Sequence, residues 1–208
     1  MNPLIKAAVI AAALGASAAA SATEFDFSYT FDDGQQVVTG SFNGTAGTDA
    51  KGGLDVTNIS NIEVAFNGVA FAGGAGNQLI LNAWSPSTPN GSGGWNNGSF
   101  AAPGTSTTLY ANAAENNFGI SDVDQSVNSN PDYEFNFVND PNPAVGSQVV
   151  AFNALQSDAF NPTGPQFDVD AANGKWSLTV APVPIPAALP LLLSGLGLFG
   201  ISRRRRAA

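Results

Sequence analysis

An all-β fold, with two antiparallel sheets packed as a jelly-roll-like or Greek-key β-sandwich, is what the middle of this 208-residue chain predicts. Three observations predict it. Glu24-Phe25-Asp26-Phe27-Ser28-Tyr29-Thr30-Phe31 alternates without a break, putting four aromatic rings on one face and acidic or hydroxyl groups on the other, as a half-buried strand requires. Asp33-Gly34, Asn67-Gly68 and Asn173-Gly174 tolerate the positive φ of two-residue turns, and each sits between runs of β-branched and aromatic residues. No segment between the termini repeats its apolar residues every 3.6 positions. The sandwich is expected to be flanked by an N-terminal signal helix and a C-terminal transmembrane helix.

The N-terminus has the layout of a secretory signal peptide spanning residues 1–22. Asn2 to Lys6 form a basic n-region, Ala7 to Ala16 an apolar h-region, and Ala20-Ser21-Ala22 a small-residue cleavage site, so the mature chain starts at Thr23.

From there one domain runs over residues 23–182, long enough to bury most of its unfolded surface around a single core. Its first strand is Glu24 to Phe31, and Asp33-Gly34 turns the chain into a partner at Gln35 to Phe42. Similar runs follow at Ile59–Phe66, Gln78–Ala83, Thr107–Tyr110, Tyr133–Val138, Gln148–Phe152, Gln166–Val169 and Lys175–Val180. Asn67-Gly68 is read as a hairpin joining Val64–Phe66 to Val69–Phe71, and Asn173-Gly174 as one joining Phe167–Val169 to Trp176–Leu178. In the last of these runs Trp176 alternates with Leu178 and belongs to the core.

Ser85 to Ser106 interrupts the strands. Pro86, Pro89, Pro103 and five glycines predict a long surface loop with no regular element. Trp95 lies in its middle and Trp84 at its entrance. Two readings are open for Trp95: a face on which a sugar ring stacks, with Trp84 beside it, or a hydrophobic pin folded back over a sheet edge.

Asp122-Val123-Asp124-Gln125-Ser126-Val127-Asn128 places oxygen-bearing side chains at every second position, as the first half of a calcium loop does. Asp122, Asp124, Ser126 and Asn128 are therefore candidate calcium ligands. The pattern then departs from such a loop, with Val127 where a sharp turn needs glycine and Tyr133 at the twelfth position, Glu134 following one residue late. A solvated acidic loop is the alternative reading.

The chain closes on Val183-Pro184-Ile185-Pro186-Ala187, an apolar run from Ala187 to Ile201 whose single polar side chain is Ser194, and the block Arg203-Arg204-Arg205-Arg206. Fifteen apolar residues at helical rise span roughly 22 Å, a short membrane crossing. Four arginines at its end belong on the cytoplasmic side, which places the preceding chain outside. This ending resembles the PEP-CTERM family of sorting signals in its VPLPA variant, with Ile185 where that variant usually has leucine. The strand Phe27-Ser28-Tyr29-Thr30-Phe31, the Asp-Gly turn and Gly40-Ser41-Phe42 are loosely similar to the openings of other proteins carrying such signals. The resemblance implies processing by an exosortase-type membrane protease in a Gram-negative bacterium, and export to the cell surface or extracellular matrix. It implies no chemistry for the exported part.

Charge and composition narrow the partners. All sixteen Asp and Glu lie between Glu24 and Asp170, and Lys51 and Lys175 are the only Lys or Arg in residues 23–182, so that segment carries 2 − 16 = −14. That charge argues against nucleic acid and anionic lipid as partners of this segment, because each phosphate contact needs a Lys or Arg; cations and neutral polysaccharide remain. The chain has no cysteine and no histidine, which removes disulfides, thiolate metal sites and the commonest bases and nucleophiles. The expectation is a non-enzymatic structural or adhesive protein of the cell surface or biofilm matrix, without a required cofactor. A carbohydrate-binding or calcium-dependent recognition module is the second reading, and a carboxylate-only glycan hydrolase the third.

Overall fold

The computed structural model describes residues 22–32, 34–73, 78–103, 106–128, 130–153, 166–169 and 174–182. Most of the segment read as a signal peptide, including Ala20, lies outside the described residues, as do Val183 to Ala187, the apolar run to 201 and Arg203 to Arg206. Ala22 is exposed and Thr23 is the first residue of the first strand.

The described chain is all-β. It runs β1 (Thr23–Thr30), β2 (Val37–Thr48), β3 (Leu54–Phe66), β4 (Val69–Ala70), β5 (Ile80–Ser85), β6 (Thr88–Pro89), β7 (Trp95–Asn96), β8 (Ser99–Phe100) and β9 (Leu109–Tyr110). After a 3-10 turn at Ala113–Glu115 come β10 (Phe118–Ser121), β11 (Glu134–Asn139), β12 (Ser147–Phe152), β13 (Gln166–Val169) and β14 (Trp176–Val180). Among the described residues no helix is long and apolar enough to cross a membrane.

Two antiparallel sheets hold nearly all of this. The first has the order β14-β1-β2-β3-β4, with β9 also on β3; the second has the order β13-β12-β11-β10-β5-β8. Their inner faces meet through aromatic rings. Phe25, Phe27, Tyr29 and Phe31 are at most 3% exposed, as the alternation in β1 predicts. Phe27 stacks on Phe135 of the second sheet with ring centroids 6.0 Å apart, and Tyr29 meets Phe137 edge-on at 5.9 Å. Trp176 packs against Phe27, Phe118, Phe135 and Phe137, and its Nε1–H donates to the Tyr110 carbonyl at 2.8 Å, so it is a core residue with its one polar group satisfied.

Two expectations need correction, and one strand is new. The expected hairpin across Asn173-Gly174 does not form: β13 pairs with β12 in one sheet and β14 with β1 in the other, so the two runs belong to different sheets, although Gly174 does have positive φ. The central strand β10 was not anticipated, because Phe118-Gly119-Ile120-Ser121 is too short for its alternation to stand out; all four residues are buried. Ser85 to Ser106 does contain regular elements. Asn90 Oδ1 accepts from the N–H groups of Ser92 and Gly94 at 3.0 Å each, tightening a turn with Gly91 and Gly93 at positive φ, and β6 pairs with β7 across it while β8 pairs with β5.

Candidate functional site

The two loop tryptophans have different environments. Trp84 sits near the end of β5, its ring edge-on to Phe100 at 4.9 Å and its Nε1–H donating to Asp140 Oδ2 at 3.0 Å. Gly98 lies against the ring, since a β-carbon there would stand within 2.8 Å of both Trp84 and Asp140. Asp140 is buried and gathers more than the indole: Ser87 donates to the same Oδ2 through N–H at 2.8 Å and Oγ–H at 3.0 Å, and Asn142 N–H donates to Oδ1 at 2.8 Å. Burial alone would push this carboxyl up. The bonds from Ser87, Asn142 and Trp84 outweigh burial and hold it below the usual carboxylate range. Trp84 is thus an anchor for the Ser85–Phe100 segment, while Trp95 sits half-buried in β7, paired with Pro89 and outside that hub.

The predicted calcium ligands are engaged within their own loop. Asp122 Oδ1 accepts from the N–H groups of Asp132 at 3.1 Å and Tyr133 at 3.3 Å, closing the loop. Asp124 Oδ1 accepts from Ser126 N–H at 2.9 Å and Ser126 Oγ–H at 2.6 Å, and Asn128 Oδ1 accepts from Asn130 N–H at 3.0 Å. Alternating oxygens here serve Asx turns, the ordinary use of Asp and Asn in a tight loop. Among the described residues no three His, Cys, Asp or Glu side chains are grouped to hold a metal ion.

A polar cluster unforeseen in the sequence lies on the outer face of β5, β10 and β11. The inward residues here are Phe118, Ile120, Phe135 and Phe137, which turns Asn82, Gly119, Ser121, Glu134 and Asn136 outward on three neighbouring strands. Loop residue Gln125 folds onto this face and donates Nε2–H to Glu134 Oε2 at 2.8 Å. Burial, the largest influence, pushes the Glu134 carboxyl up to about 7, against hydrogen bonds from Asn136 and Gln125 and with a further push from Asp122. Asn82, fully buried, reaches Ser121 Oγ at 3.4 Å. Its Oδ1, Gln125 Oε1 and Asn136 Oδ1 are buried with no hydrogen-bond donor. The signal that could have located the cluster is the polar alternation of Glu134 and Asn136 with Phe135 and Phe137.

On the first sheet, Asp26, Ser41 and Glu63 are cross-strand neighbours along one row and line a shallow depression of about 340 Å³. A second cleft, about 590 Å³, runs between Ile59–Glu63 and Gln78–Leu81 beside Pro103. Both lysines of residues 23–182 are neutralised internally. Lys51 pairs with Glu115 at 2.6 Å, and Lys175 pairs with Asp32 and, at 3.2 Å, with Asp168. No protein-family model, curated protein or solved structure matches the chain.

Proposed function

We propose that the chain is an exported, non-catalytic structural or adhesive protein of the cell surface or extracellular matrix, its two sheets forming a β-sandwich of jelly-roll-like or Greek-key type. In this reading the signal peptide directs export, and the C-terminal helix holds the precursor in the inner membrane until an exosortase-type protease cuts near Val183 to Ala187. The observation that carries it is the order of the C-terminal parts: Pro-rich motif, apolar run, arginine block. The domain's character supports it. Lys51 and Lys175 are consumed by internal ion pairs, so the outward charge is carboxylate, which keeps copies soluble and leaves neutral polysaccharide or bridging cations as partners. A structural role is favoured over a recognition module because Trp84, Asp122, Asp124 and Asn128 direct their polar atoms at their own chain.

Mass spectrometry of the protein recovered from the medium and from the membranes of its native host tests this. The expected result is a mature form starting at Thr23 and lacking Leu191 to Ala208. Intact tail peptides on protein from the cell surface would overturn it.

A further inference from the structure

Glu134, Gln125 and Asn136 form a cluster whose hydrogen bonds do not balance while Glu134 is ionised. Gln125 donates to the carboxylate at 2.8 Å and the Asn136 amide hydrogen-bonds it as well. With both amides turning N–H groups to Glu134, Gln125 Oε1 and Asn136 Oδ1 are left buried without a donor. Both oxygens lie over Gly119, within 2.5 Å of the point its β-carbon would occupy, and Phe100 Cε1 closes the space at 2.8 Å from that point. Two buried acceptors with nothing to accept is an unfavourable state that demands a donor.

One proton on Glu134 supplies it. The carboxyl O–H donates to Asn136 Oδ1 once that amide turns over, and Asn136 Nδ2–H, now in the place its oxygen held, donates to Gln125 Oε1. Gln125 Nε2–H keeps its bond to Glu134 Oε2, completing a ring of three hydrogen bonds with no orphan. No bond to carbon changes, and the proton comes from solvent.

We propose that this cluster is a proton-operated clasp: with Glu134 protonated it pins the Asp122–Asp132 loop, through Gln125, to the outer face of the sheet, and with Glu134 ionised it releases that loop. The charge facing Glu134 from the loop is Asp122, so ionisation also brings like charges together. Asp124 and Asp132 lie on the same loop, the first bonded to Ser126 and the second giving its N–H to Asp122. From the strands, the residues set beside the cluster are Ser121 and Gly119 of β10, Asn82 and Ile80 of β5, Phe100 of β8 and Phe152 of β12, none of which titrates in this range. Because the folded carboxyl titrates near 7 and the unfolded one near its ordinary value, the clasp's contribution is full below the unfolded value and is lost as pH rises through about 7.

The test is hydrogen exchange on the full-length chain in mild detergent, corrected for intrinsic exchange, at about pH 6 and about pH 8. Val127 and Asn128 report on the loop, since both donate their N–H to the Asp124 carbonyl at 3.0 and 2.9 Å. Their protection is expected to fall about tenfold over that interval, following the protonated fraction of Glu134. Glu134→Gln, a neutral mimic of the acid, is expected to keep protection high at both values; Gln125→Ala, which cuts the tether and leaves Glu134 in place, is expected to make it low at both. Constant protection in the wild type, or a pH response retained in either variant, overturns the clasp. So does restoration of protection at about pH 8 by millimolar calcium, which would make the missing donor a cation instead of a proton.

Discussion

Tyr29 Oη donates to Asp168 Oδ2 across 2.7 Å, joining residues 139 positions apart and, through them, the second strand of one sheet to the edge strand of the other. Asp168 also accepts from Lys175 Nζ and from the Asp32 N–H, each at 3.2 Å. A buried carboxylate is thus held by three donors drawn from β1, the turn after it and the chain entering β14. Burial first, then the bond to Asp168, drives the Tyr29 hydroxyl far above its ordinary pKa, so it stays a donor at any pH the fold survives.

Removing one member of this group unbalances the rest. Tyr29→Phe is expected to cost about 1–3 kcal/mol, the loss of a charge-assisted hydrogen bond. Asp168→Ala is expected to cost about 3–5 kcal/mol, because it leaves a buried phenol without an acceptor and Lys175 with Asp32 alone. Urea denaturation of both variants checks the order; equal stability of wild type and Tyr29→Phe would show that the bond does not join the sheets.

The Asp140 hub makes a second expectation. Asp140→Ala strands the Ser87 N–H and the Trp84 Nε1–H in a part-buried site, which costs about 2–4 kcal/mol. Loosening of the Ser85–Phe100 segment should red-shift tryptophan emission before global unfolding. Since the folded pKa is depressed, this hub's stability is present above the unfolded carboxyl value and is lost as pH falls through the folded one. A red shift on acidification that Asp140→Asn removes is the matching result.

How far the sequence reaches is clear from particular strands. The inward row Phe25, Phe27, Tyr29 and Phe31 could be read directly, because a period of two decides faces locally. Which strand pairs with which could not. Asn173-Gly174 has turn chemistry and Gly174 the positive φ, yet the strands on either side go to different sheets, since Asp168 faces inward to reach Tyr29 and that partner is remote in sequence. The Ser85–Ser106 segment reads as loop because its glycines and prolines are visible, whereas Asp140, the residue that orders it, stands 53 positions from Ser87 and 56 from Trp84. For the same reason Glu134 reads as a misplaced calcium ligand. Its partners Gln125 and Asn136 become apparent only when β10 brings the loop and β11 together.

The loop from Asp122 to Asp132 gives a third expectation. Asp122→Ala together with Asp124→Ala removes acceptors for the N–H groups of Asp132, Tyr133 and Ser126, so the double variant should melt several degrees lower with or without calcium. Millimolar calcium, added in a background already screened by sodium chloride, should leave the wild-type melting temperature unchanged. A calcium-specific rise abolished by the double variant would instead make Asp122, Asp124, Ser126 and Asn128 a cation site.

The last expectation concerns how closely β1 and β2 approach. Gly40 of β2 pairs with Phe27 of β1, and a β-carbon at Gly40 would stand within 2.5 Å of the Phe27 ring and of the Glu63 carbonyl oxygen. Phe27 cannot easily give way, because its other neighbours are the rings of Phe42, Phe135 and Trp176 at 6.0, 6.0 and 5.7 Å. Gly40→Ala should therefore overpack the core and cost about 1–3 kcal/mol, although a residue with a side chain ordinarily suits a strand better than glycine. Gly34 provides the contrast. It has φ of 65° and nothing within 4 Å of its would-be β-carbon, so Gly34→Ala costs only the strain of a left-handed backbone, about 1 kcal/mol, and is indifferent to Phe27. Combining each alanine with Phe27→Leu separates the two mechanisms. The smaller leucine should recover part of the Gly40→Ala loss, giving a coupling of about 0.5–2 kcal/mol, and none of the Gly34→Ala loss. Strict additivity at Gly40 in urea denaturation would mean that the Phe27 ring is not seated on that glycine, and that the inner face of the first sheet is packed differently at its centre.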